Sequence, residues 1–145
     1  MAGSWTLESA MSQGATCRVR VLIADDHPLV RKIVRSTLQQ DPQLEVCGEA
    51  QDGAEAIEEA QRLRPDVVVL DLAMPVLNGF DAAREIRIKS PGCAIVILSS
   101  SVDQRFIDEA RKNGVCVYVA KTKAGEALVR AVEAAVQGED FIAVN

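Results

Sequence analysis

Residues 67–71 read Val67-Val68-Val69-Leu70-Asp71, four apolar residues in unbroken succession followed by a carboxylate. A strand with one face in water alternates apolar and polar residues. An unbroken run fits a strand buried on both faces, as in a parallel sheet. Similar runs lie upstream at Val19–Ala24 and Leu44–Cys47, and downstream at Ala94–Leu98 and Val115–Ala120. Between them the apolar residues recur at helical spacing. The stripes are Leu29, Val30, Ile33, Val34 and Leu38; Ala56, Ile57, Ala60 and Leu63; Phe80, Ala83 and Ile86; Phe106, Ile107 and Ala110; and Leu128, Val132 and Val136. Gly114 and Gly138 stand where the fourth and fifth helices should stop. Five strands alternating with five helices predict an α/β fold with a doubly wound, five-stranded parallel sheet in the order 2-1-3-4-5. Such sheets bind ligands at the carboxyl ends of strands one and three.

Composition bounds the function classes. The chain has 145 residues, 48% of them hydrophobic and 26% charged, enough for one domain with a real core and too apolar for a disordered chain. Aromatic residues are only 3%, so the core is aliphatic. A net charge of -5 and a pI near 4.9 argue against nucleic-acid binding by this chain. No apolar run suits a membrane span, and Met1 to Thr16 lack the pattern of a signal peptide, so a cytoplasmic protein without membrane contact is expected. Cys17, Cys47, Cys93 and Cys116 form no ligand-like spacing and read as small thiols in a reducing compartment. Residues 1–16 read as a flexible leader, 17–140 as the domain, and 141–145 as the start of a C-terminal linker.

The chemistry gathers at the strand ends. The first strand ends in Asp25-Asp26 and the third in Asp71. In the expected order these strands are neighbours, ~4.8 Å apart. Three carboxylates at that spacing oppose one another's ionisation unless a cation neutralises them, and an all-oxygen set suits Mg²⁺. Asp26 could instead cap the helix that starts at Pro28. Asp71 has no such explanation, because the turn Met74-Pro75 follows it. The fourth strand ends in Ser99-Ser100-Ser101 and the fifth in Lys121, a hydroxyl and an ammonium suited to a phosphoryl group at the same edge.

Four segments carry a resemblance: Val21-Leu22-Ile23-Ala24-Asp25-Asp26-His27-Pro28, Asp71-Leu72-Ala73-Met74-Pro75-Val76-Leu77-Asn78-Gly79, Ile97-Leu98-Ser99 and Tyr118-Val119-Ala120-Lys121. Together they resemble the signature of response-regulator receiver domains of two-component systems, whose fold is flavodoxin-like (βα)5. Asp25-Asp26-His27-Pro28, Lys121 without a following proline, and Gly138-Glu139-Asp140-Phe141 resemble the LuxR/NarL-type subfamily. The resemblance implies that Asp71 accepts a phosphoryl group from a sensor histidine kinase. It implies Mg²⁺ held by Asp26 directly, Asp25 mainly through water, Asp71, and the backbone carbonyl of Ala73. Lys121 would pair with the phosphoryl oxygens, Ser99 would move inward to hydrogen-bond them, and Tyr118 would follow. The chain would then catalyse only its own phosphorylation and dephosphorylation. It would control transcription through a helix-turn-helix DNA-binding domain outside this chain, with a phosphorylation-dependent homodimer as one route and a stand-alone interaction module as the alternative.

Other readings fit less well. A haloacid-dehalogenase-like phosphatase wants Asp-x-Asp at the first strand, and a flavodoxin-like cofactor binder wants a phosphate loop where Asp25-Asp26-His27-Pro28 stands. An inactive receiver would have lost one of the acidic or lysine positions, and none is lost. His27, the only histidine, reads as a rim residue ahead of Pro28 rather than a phosphocarrier. Arg31, Lys32, Arg35, Arg84, Arg87, Lys89, Arg111 and Lys112 fall on separate helices and read as solvated faces. Ala127, Ala131, Ala134 and Ala135 offer small residues for close approach at a dimer surface.

Overall fold

In the computed structural model, which describes residues 18–145, strands and helices alternate. They are β1 (Val19–Ala24), α1 (Pro28–Leu38), β2 (Leu44–Ala50), α2 (Gly53–Leu63), β3 (Val67–Asp71), α3 (Gly79–Lys89), β4 (Ala94–Ser99), α4 (Gln104–Lys112), β5 (Val117–Ala120), α5 (Ala124–Gln137) and β6 (Phe141–Ala143). The expected leader at 1–16, and Cys17, lie outside the described residues. All the pairings are parallel, in the order β2-β1-β3-β4-β5-β6. The predicted five-strand order is present, with a sixth strand formed by residues 141–143, where a linker was expected to begin.

The unbroken apolar runs have the cause inferred for them. Side chains along a strand point alternately to the two faces. Val21, Ile23, Val67, Val69, Val96 and Leu98 pack with Leu128 and Val132 of α5. Leu22, Val68, Leu70, Ile95 and Ile97 pack on the other face with Ala56 and Ala60 of α2 and Ala83 and Ile86 of α3. Every residue of β3 is buried, so the central strand meets helices on both sides. Each such Val, Leu or Ile contributes roughly 1.5–3 kcal/mol over an exposed position. The alanines proposed for a dimer surface do not form one: Ala127, Ala131 and Ala135 are buried in the core against this chain's own sheet, and Ala134 is buried as well. Their small size lets α5 approach the sheet, not a second molecule. No helix among the described residues is long and apolar enough to cross a membrane.

Local chemistry sets the helix starts. Asp52 accepts the Glu55 amide at 2.8 Å and Asn78 accepts the Asp81 amide at 3.0 Å, capping α2 and α3. α1 starts without a side-chain cap, on Pro28, whose fixed φ suits a first helical position. Asp26 is therefore not spent as a cap. Gly114 has φ +80 with the Arg87 guanidinium where a Cβ would stand. Arg87, though exposed, donates to the Asn113 carbonyl at 2.8 Å and so ties α3 to the end of α4.

One turn is strained. The Leu77 amide donates to the Pro75 carbonyl at 2.8 Å, closing a γ-turn centred on Val76 at φ +71. A β-branched residue at positive φ costs about 1–3 kcal/mol. Val76 is 79% exposed, so it recovers little by burial. Val76→Gly is expected to stabilise the chain by about 1 kcal/mol, the relief of strain exceeding the entropy of a glycine. Urea denaturation checks this, and a lower midpoint for the variant would contradict it.

Candidate functional site

Strand register builds the site. Ala24 of β1 lies opposite Leu70 of β3, so Asp25 and Asp71 leave the sheet side by side. Asp71 lies opposite Leu98 of β4, and Ser99 opposite Ala120 of β5. Ser99 therefore stands one step past Asp71 and Lys121 one step past Ser99. The four ends step across the sheet at the β1/β3 switch point, where the connections turn in opposite directions.

Asp25 and Asp71 are buried, at 2% and 3% exposure, while the Asp26 side chain is 29% exposed. Lys121 Nζ lies 3.1 Å from Asp25 Oδ2 and 3.3 Å from Asp71 Oδ1. One ammonium thus serves two carboxylates. Asp25 Oδ1 accepts the His27 amide at 2.9 Å, and Asp71 Oδ1 accepts the Ala73 amide at 3.4 Å. Three buried oxygens lack a hydrogen bond: Asp25 Oδ2, Asp26 Oδ1 and Asp71 Oδ2. Asp25 Oδ2 and Asp26 Oδ1 have only ion-pair neighbours, Lys121 Nζ at 3.1 Å and His27 Nδ1 at 3.0 Å. Oxygens from Asp25, Asp26 and Asp71, with a His27 ring nitrogen, lie within 4.8 Å of one another. This donor set fits a hard divalent cation, which would satisfy carboxylate oxygens that one lysine leaves in excess charge.

Electrostatics agree. Burial raises the Asp71 pKa and the neighbouring Asp25 charge raises it further, against the pull of Lys121 and the Ala73 amide. Burial lowers the Lys121 pKa, but the Asp71 and Asp25 carboxylates outweigh it and hold the ammonium charged. His27 sits on the rim, its side chain 63% exposed and Nδ1 3.0 Å from Asp26 Oδ1.

On the β4–β5 side, Ser99 is buried and its Oγ accepts the Ser101 amide at 3.0 Å, which leaves its O–H to be donated. Tyr118 is 1% exposed, and its hydroxyl donates to the Ser101 carbonyl at 3.0 Å. Burial raises the phenol pKa. The tyrosine is therefore already inside, tied to the turn that begins at Ser99. Leu72, Ala73, Asn78, Phe80, Ser99 and Phe106 line a cavity of about 300 Å³ beside it.

Two residues outside the predicted site shape it. Gly79 donates its amide to Leu72 at 2.9 Å, and a Cβ there would stand 2.6 Å from Leu72 Cα and closer still to the Asp71 carbonyl. Arg31, read as a solvated charge, is only 16% exposed and donates to the Asp25 carbonyl at 2.6 Å. The described cysteines play no part in the site: Cys47, Cys93 and Cys116 are free thiols, and burial pushes Cys93 up to about 12.

A doubly wound parallel sheet with an acid–lysine cluster at its switch point defines a narrow class of α/β domain. Residues 21–133 match the response regulator receiver domain, and the chain belongs to that family. It is 32% identical over 125 residues to the transcriptional regulatory protein DegU of Brevibacillus brevis, covering 86% of this chain and 53% of DegU. It is 52% identical over 80 residues to a protein-glutamate methylesterase/protein-glutamine glutaminase of Pyrococcus abyssi, covering 55% of this chain and 22% of that protein. The signal receiver domain of a NarL response regulator from Mycobacterium tuberculosis superposes with a TM-score of 0.81 at 31% identity, over 85% of this chain and 99% of that one. The chain thus spans about half the length of DegU and about a fifth of the methylesterase. The likeness to DegU and NarL bears out the subfamily resemblance.

Proposed function

We propose that this chain is a magnesium-dependent phosphorylation switch, with Asp71 as the acceptor of a phosphoryl group from the phosphohistidine of a sensor histidine kinase. The observation that carries the reading is Lys121 placed between Asp25 and Asp71, beside buried carboxylate oxygens that find no hydrogen bond among the described residues. Asp25, Asp26, Asp71 and the Ala73 carbonyl would hold Mg²⁺, which when bound supplies neutralising charge for carboxylates and phosphoryl oxygens.

The chain's own residues do the rest. An ionised Asp71 oxygen attacks phosphorus. A P–O bond forms, the P–N bond breaks, and the imidazole keeps the electron pair and takes a proton from solvent. Lys121 stays charged and meets the phosphoryl oxygens as a point charge. Ser99 donates its O–H to a phosphoryl oxygen, drawing the turn to Ser101 with it. Because Tyr118 is bonded to Ser101, that movement is felt at the tyrosine and along β5.

Output follows the relatives. DegU is a transcriptional regulatory protein and is about twice the length matched here, which supports transcription control through a helix-turn-helix domain outside this chain. A phosphorylation-dependent homodimer is one means of control, and α1 offers Leu29 and Ile33, 67% and 53% exposed.

With Mg²⁺ and acetyl phosphate, the chain is expected to take up one phosphoryl group, on Asp71, and none in EDTA. Borohydride trapping and mass spectrometry locate it. A label on His27, or one independent of divalent metal, would overturn the assignment.

A further inference from the structure

We infer that Arg31, held by Glu49, is a positioning residue for the Asp25–Asp26 metal site. The inference rests on the magnesium reading above. Arg31 Nε donates to Glu49 Oε1 at 2.8 Å while its Nη1 donates to the Asp25 carbonyl at 2.6 Å. The second Glu49 oxygen is taken by Arg35, with Nε at 2.8 Å. Burial opposes the Glu49 charge, but the hydrogen bonds from Arg35 and Arg31 hold its carboxyl below the usual range.

The geometry assigns this network a task. Glu49 lies on β2 beside Ala50, whose carbonyl accepts the Asp25 amide at 3.0 Å. Both peptide groups flanking Asp25 are therefore tied to β2, one directly through Ala50 and the other through Arg31 and Glu49. The Asp25 carbonyl belongs to the peptide that leads into Asp26, so its direction sets where the Asp26 carboxylate projects. The Asp25 side chain has its own locks in the His27 amide and Lys121. The Asp26 side chain is more exposed and depends on the backbone for its aim.

A plain salt bridge between α1 and β2 would also account for the contacts, and such pairs contribute about 0–1 kcal/mol. The sign of one measurement separates the two. Arg31 is a cation beside a cation site, so by charge alone its removal should strengthen Mg²⁺ binding. A positioning role demands the opposite, and loss of groups that orient metal ligands costs about tenfold or more in affinity.

The experiment is a Mg²⁺ titration of the 145-residue chain followed by ¹⁵N NMR, for wild type, Arg31→Met, Arg31→Lys and Glu49→Gln, with melting in EDTA recorded alongside. Arg31→Met is expected to bind Mg²⁺ about tenfold more weakly. Arg31→Lys should also lose affinity, because an ammonium cannot span Glu49 and the Asp25 carbonyl as a guanidinium fork does. Glu49→Gln keeps the arginine and loosens its anchor, so it should weaken binding less. Melting temperatures in EDTA should change little. Arg31→Met binding Mg²⁺ as tightly as wild type, or more tightly, overturns the inference and leaves the magnesium reading standing. If Arg31→Met does not fold, wild-type affinity in both Arg31→Lys and Glu49→Gln overturns it. A wild-type chain that binds no Mg²⁺ overturns both readings.

Discussion

Asp71→Asn is expected to abolish phosphoryl uptake and, at neutral pH in EDTA, to make the chain more stable than wild type. The two effects have one cause. Asp71 is buried, faces Asp25, and has one oxygen without a hydrogen bond. Burial and Asp25 raise its pKa in the folded chain above that in the unfolded chain. Between those two values the folded state binds more protons, so stability falls as pH rises through the window and stays lowered above it. An amide carries no charge to desolvate, and Lys121 retains Asp25 as a partner. The gain should be about 1 kcal/mol, roughly 3 °C in melting temperature. Saturating Mg²⁺ should reverse the order, because wild type gains binding free energy, about 2.7 kcal/mol at a hundredfold excess over Kd, and the variant has lost a ligand. Differential scanning fluorimetry with and without Mg²⁺ reads both. A variant that melts below wild type in EDTA would show that burial does not strain Asp71, and an equal Mg²⁺ shift in the two would show that Asp71 is not a metal ligand.

Gly79→Ala should damage both the fold and the site with a single methyl. The added Cβ would overlap Leu72 Cα and the Asp71 carbonyl, which are backbone atoms that no side-chain rotation moves aside. Either the start of α3 shifts outward or the Asp71–Leu72 segment shifts inward. Overpacking of this kind costs about 1–3 kcal/mol. If Asp71 is the acceptor proposed above, displacing its backbone by a fraction of an ångström to an ångström should lower phosphoryl transfer by up to about 100-fold. Gly125→Ala, with nothing within 4 Å of the new carbon and a place near the start of α5, should instead stabilise by about 0.5–1 kcal/mol. Chemical denaturation and acetyl phosphate kinetics on the pair give the comparison. Near-wild-type uptake by Gly79→Ala would mean that the site tolerates movement of Asp71.

The sheet was legible because most strands were buried on both faces, and an unbroken run of Val, Ile and Leu has few other uses. The site was legible because chemistry followed those runs at their ends, and register did the rest. β2 was harder: it continues to Ala50, but Glu45, Gly48 and Glu49 on this edge strand break the apolar run. Arg31 was misread because its partner lies 18 residues away in another element, and no local spacing announces such a contact. The alanines of α5 were misread for a different reason. A stripe of small residues states that something approaches closely, and not whether that is the chain's own sheet or a neighbour's.

β6 bears on how the molecule resists sticking to itself. Without it, β5 would be the outermost strand, and Val117-Tyr118-Val119-Ala120 carries no charge to discourage a foreign strand from adding there. Unprotected apolar edges of that sort template aggregation. Residues 141–143 occupy that edge, with the Phe141 amide bonded to the Cys116 carbonyl at 3.0 Å and Arg130 lying 5.6 Å over the Phe141 ring. The new edge is only three residues long, too short to recruit much, and the exposed Glu139 and Asp140 precede it. A chain cut at residue 140, where the sequence reading ends the domain, would keep its whole acidic pocket and expose the edge of a strand that carries no charge.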